Sequence, residues 1–75
     1  MKAYVIKHEP SNTYVTVSDE IGPISVNLED TQLFSFEVAE SILEDIEYIE
    51  GIEDQVNPED LSIYQVEIII LNKVK

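Results

Sequence analysis

Seventy-five residues with sixteen Asp and Glu against four Lys, a formal charge of −12, leave room for a single small domain, residues 1–75. The hydrophobic fraction of 44% is close to the globular average of roughly 45–50%, so a folded, very acidic module is expected rather than a disordered chain. The absence of cysteine excludes disulfide frameworks and thiolate zinc sites, and no run approaches the roughly 18 apolar residues of a membrane span.

The N-terminal stretch is too polar for a signal peptide, so a cytoplasmic location is expected by default. Direct binding to nucleic acid or to an anionic membrane is disfavoured, because both require basic surface. The distribution of charge is more informative than its sum. Lys2, Lys7, Lys73 and Lys75 are the only basic residues, and all sixteen acids lie between them. Ordinary surfaces intersperse the two signs.

In chain order, Ala3–Lys7 reads as a strand, followed by a turn over His8–Thr13 rich in loop formers. Tyr14–Ser18 is the return strand, β-branched or aromatic up to its end. Asp19–Pro23 breaks the pattern, and Ile24–Leu28 alternates, with Ile24, Val26 and Leu28 on one face. Ser35 is a candidate cap for a helix predicted to run to about Glu50 and to stop at Gly51. Steps of 100° collect Val38, Ala39, Ile42, Leu43, Ile46 and Ile49 on one arc. An acidic loop over 52–60 follows, and Leu61–Val74 is the longest extended candidate, with Ile68–Leu71 apolar on both faces. The prediction is a β-β-β-α-β chain: an α+β fold with one helix on an antiparallel or mixed four-stranded sheet.

Glu37, Glu40, Glu44 and Glu47 fall together opposite the apolar arc, about 15 Å of ladder at 1.5 Å per residue. Like charges at these spacings destabilise a helix by about 0.2–0.5 kcal/mol per pair, and Glu47 and Glu50 oppose the macrodipole at its negative end. Lysines placed four residues later would relieve the strain, and none is present. Two readings stay open. Either the face, with Glu53 and Asp54 nearby, imitates a phosphate backbone and docks on a basic protein surface, or it is a solvated face that keeps the chain soluble. Tyr48 beside the ladder is either an anchor for a partner's pocket or packs on the sheet rim or the loop after Gly51.

One helix leaves part of a four-stranded sheet bare. Ile63, Ile69 and Leu71 share one face of the last strand, and a homodimer using that face or that edge would cover them. Adjacent carboxylates such as Glu53-Asp54 and Glu59-Asp60 rarely converge on one ion, so no specific metal site is expected. His8, with no nucleophile motif near it, reads as a surface residue. Two glycines cannot build a phosphate cradle. No cofactor is expected, and the chain reads as a non-enzyme.

The segments Tyr4–His8, Tyr14–Val17 and Leu28–Ser35, followed by an acidic helix, resemble a pattern in small bacteriophage and prophage proteins. The composition is similar to that of acidic phage inhibitors that mimic DNA, such as the uracil-DNA glycosylase inhibitors. The resemblance implies a phage-type inhibitor acting in a host cytoplasm on a nuclease, a restriction or CRISPR effector or another DNA-handling protein. Read from the acidic face itself and not from the resemblance, the contacts would be Glu37, Glu40, Glu44, Glu47, Tyr48, Glu53 and Asp54. The alternative is a homodimeric assembly module whose charge serves solubility alone.

Overall fold

The computed structural model describes residues 2–75. Four strands, β1 (Lys2–His8), β2 (Thr13–Ser18), β3 (Gly22–Val26) and β4 (Leu61–Glu67), form an antiparallel sheet in the order β3-β2-β1-β4. One helix, α1 (Phe36–Asp45), packs against it, so the fold is α+β. Asn12 at the β1–β2 turn has φ 56°, a conformation Asn accepts more readily than most residues. Gly22 opens β3 at φ 94°, where a side chain would be strained.

β1 and β4 pair over their full lengths, from Lys2↔Glu67 to His8↔Leu61. β1 and β2 pair only from Ile6↔Val15 to His8↔Thr13. Beyond that point β2 leaves β1, and residues 31–34 fill the gap. Tyr4 N–H donates to Phe34 O at 2.9 Å and Phe34 N–H donates to Tyr4 O at 2.8 Å. The freed edge of β2 is met by a side chain, Val17 N–H donating to Gln32 Oε1 at 2.8 Å, and Thr31 Oγ1 donates at 3.4 Å to the carbonyl of Val15, the last β2 residue paired with β1. Backbone groups that lose a strand partner need a replacement of this kind.

Alternation divides the sheet into two faces. Tyr4, Ile6, Val15, Leu61 and Ile63 face α1 and meet Ala39, Ile42, Leu43, Ile46, Ile49 and Val56 in the core. The other face carries Ala3, Val5, Tyr14, Thr16, Ile24, Val26, Tyr64 and Val66, as the register requires. Ala3 and Val5 are buried there, although no helix covers them. Ile63 therefore turns its side chain into the core, which corrects its placement on an open dimer face.

His8 also departs from expectation. Strand alternation extended by one residue puts it beside Tyr4 and Ile6, and it is only 6% exposed. Its Nδ1 lies 2.7 Å from Ser11 Oγ, which is 2.7 Å from Thr13 Oγ1. Ser25 Oγ donates to the same Thr13 oxygen at 2.6 Å. Buried imidazole is tolerated because this hydroxyl chain gives it a partner.

β1, β2 and β3 each begin one or two residues earlier than predicted, and β1 ends one later; three further boundaries move to greater effect. β3 ends at Val26, and Leu28 begins a 3₁₀ turn, Leu28–Asp30. β4 ends at Glu67, so Ile69 and Leu71 lie beyond it in an exposed tail without regular structure. The helix stops at Asp45 instead of Glu50, with Ile46 extended at φ −76°, ψ 126°. No basic residue stands in the last turn, and Glu44, Asp45 and Glu47 crowd the negative end of the macrodipole, which disfavours extending the helix. The chain then returns to the sheet. Glu50 N–H donates to Pro23 O and Ser25 N–H to Glu50 O, both at 2.8 Å, a parallel bridge beside Ile24. Gly51, at φ 98°, forms the turn after this bridge, not the end of the helix.

Candidate functional site

The acidic surface begins with the helix. Ser35 caps it, its Oγ accepting from Val38 N–H at 3.3 Å, a contact that contributes about 1 kcal/mol. Apolar residues Ala39, Ile42 and Leu43 face the sheet, and Tyr4 and Phe36 make an edge-on ring contact at 5.3 Å. With that face buried, helical geometry turns Glu37, Glu40 and Glu44 outward within one sector, and all three are exposed. The ladder spans about 10 Å at 1.5 Å per residue, shorter than the sequence suggests because Glu47 lies past the helix end.

Glu47, Glu53 and Asp54 are exposed, but on the irregular segment after α1. Tyr48 leaves the helix with Glu47. Its hydroxyl donates to Ile21 O at 3.0 Å, and a Cβ on Gly22 would lie 3.0 Å from that hydroxyl. Tyr48 is thus held against the β2–β3 turn while the residue stays 54% exposed. It also borders a depression of about 380 Å³ lined by residues 48–53, which brings Tyr48, Glu50 and Glu53 to one rim.

A second cleft, of about 240 Å³, opens between α1 and the β2–β3 hairpin. Val17, Pro23, Ile42 and Ile46 supply an apolar lining, and Ser41 and Asp45 supply the polar atoms. Sequence reasoning missed it. Ser41 and Asp45, four residues apart on one helix face, were the available signal.

Cations are almost absent from this surface. Among the described residues the one ion pair within 4 Å is Lys7–Glu9 at 3.4 Å, a solvent-accessible pair with Lys7 half-buried, of about 0–1 kcal/mol. Lys7 Nζ also stands 5.7 Å from the Tyr64 ring centroid, and Tyr64 OH donates to Glu9 Oε2 at 3.0 Å. That hydrogen bond, then the Glu9 charge, raises the Tyr64 phenol above its ordinary 10.0. Among the described residues no three of His, Asp and Glu converge as a metal site would require, and no helix is long and apolar enough to cross a membrane.

No protein-family model matches the chain, and searches of curated proteins and of solved structures find no match.

Proposed function

We propose that the protein is an acidic inhibitor, of the type found in phages, that occupies the basic nucleic-acid-binding surface of a host nuclease or other DNA-handling protein. The observation that carries the reading is the acidic helix face: Glu37, Glu40 and Glu44 point outward, and among the described residues no lysine or arginine lies within ion-pair distance of them. Duplex DNA presents one charge per roughly 3.4 Å along each strand. Three carboxylates over about 10 Å give a line of charge of similar order. Glu47, Glu53 and Asp54 extend the acidic contact along the chain, and Tyr48 supplies an aromatic edge stiffened by its bond to the β2–β3 turn. A basic partner approaching such a surface is steered electrostatically, so association is fast and weakens with salt.

The test is affinity capture from a bacterial lysate, identification by mass spectrometry, and competition by duplex DNA. The reading expects a nucleic-acid-binding protein that is displaced by DNA and lost when Glu37, Glu40, Glu44 and Glu47 are all changed to Gln. A partner retained at unchanged affinity by that quadruple variant, or indifferent to DNA, overturns it.

A further inference from the structure

The outer edge of β4 is open. Tyr4 directs its backbone N–H and C=O to Phe34, on the side away from β4. Alternation then directs Ala3, Val5 and Lys7 toward β4, where they pair with Val66, Tyr64 and Ser62. Glu9 N–H donating to Asp60 O at 2.8 Å continues the same phase. The N–H and C=O groups of Ile63, Gln65 and Glu67 therefore point outward, and among the described residues no strand lies beyond β4.

The tail that follows is apolar and exposed: Ile70 is 91%, Leu71 81% and Val74 90% exposed. It is also where the charge changes. Leu61–Lys75 contains one acid, Glu67, and two lysines, Lys73 and Lys75, while the other fifteen acids lie between Glu9 and Asp60. Two copies of a chain with charge −12 repel least along this segment.

We infer that a second copy of the chain pairs antiparallel with the β4 edge, the exposed tail of each copy running along β4 of the other. Exposed edges template strand addition, and antiparallel pairing of an edge with itself satisfies a two-fold axis. Carried on as a strand, Ile69 and Leu71 have the phase of Ile63 and Gln65, so their outward backbone groups meet. Lys73 and Lys75 then run toward Glu59 and Asp60 of the second copy, just before its β4. Assembly stops at two because the opposite edge is blocked: Glu50 bridges Ile24, and the Tyr48 hydroxyl is bonded to Ile21. Ile63, whose side chain belongs to the core, contributes through its backbone. The inference is independent of the proposed inhibitor role.

The experiment is sedimentation or light-scattering mass of the full chain, with two variants. Gln65→Pro removes an outward N–H that β1 does not use, and proline is tolerated on strand edges in this orientation. Leu71→Pro lies in the tail, outside the regular elements. The wild type is expected at twice 8.6 kDa, with a dissociation constant that falls at least a few-fold from low to moderate salt as repulsion between the acidic bodies is screened. Leu71→Pro is expected to raise that constant at least tenfold while the domain keeps its cooperative unfolding transition, and Gln65→Pro to do the same if folded. A monomeric wild type, an assembly larger than two, or a folded Leu71→Pro protein that dimerises like the wild type overturns the inference.

Discussion

Replacing Glu47 by proline tests where the helix ends. In the interior of a helix, proline removes a hydrogen bond and clashes with the preceding turn, at a cost of about 3 kcal/mol. The structure predicts a different outcome. Ile46 already stands at φ −76°, ψ 126°, the extended conformation that a residue before proline adopts. The last helical residue is Asp45, so the proline ring follows the helix instead of interrupting it. The substitution is expected to change stability by less than about 1 kcal/mol, with the lower entropy of the unfolded chain favouring the variant. Urea melts of Glu47→Pro and Glu47→Ala, compared at equal ionic strength, separate the backbone effect from loss of the charge. For a domain of this size, a 3 kcal/mol loss lowers the melting temperature by roughly 12–24 °C. Such a drop in Glu47→Pro relative to Glu47→Ala, with reduced helical circular dichroism, would refute the reasoning and return residues 46–50 to the helix.

Gln32→Ala removes the acceptor for Val17 N–H; the Val17 amide should exchange with solvent measurably faster, at a stability cost of about 0.5–1.5 kcal/mol. Thr13→Val deprives both Ser11 and Ser25 of a hydroxyl partner, and chemical denaturation should show a loss of about 1–3 kcal/mol, larger than that of Ser11→Ala. Tyr64 should ionise above 10.0 in the folded protein, later than it does when unfolded. Because the folded value is the raised one, its stabilising contribution is present below pH 10 and is lost as pH rises through the folded value. Glu9→Gln should bring Tyr64 ionisation down in an alkaline absorbance titration, and an unchanged titration would remove Glu9 as the cause.

The elements were legible in the sequence because their signals are local. Alternation at Ile24 and Val26, the Ser35 cap and the Ala39-Ile42-Leu43 arc each depend on a few neighbouring residues. The misplacements share a different origin. Ile46 and Ile49 are spaced as one helical face would have them, and both are buried, but from an irregular segment that returns to the sheet at Glu50. Gly51 reads as a helix terminator, but its positive φ serves the turn after the Glu50 bridge, six residues past the last helical residue, Asp45. The run Ile69–Leu71 has strand-like composition, but β4 ends at Glu67, because a strand also needs pairing along its length, which composition does not record. For the candidate site, the outward direction of Glu37, Glu40 and Glu44 followed from periodicity. The bond from Tyr48 to Ile21 spans 27 residues and left no pattern along the chain.

Both flanks of α1 are stitched into the sheet by backbone pairs, Phe34 to Tyr4 before it and Glu50 to Pro23 and Ser25 after it. A ten-residue helix is too short to hold itself together in water, and here it has no need to. Moored at bow and stern, it cannot roll about its own axis without tearing sheet hydrogen bonds. The azimuth of the Cα–Cβ bonds of Glu37, Glu40 and Glu44 is therefore set by the sheet, while their exposed carboxylates keep their own rotamers.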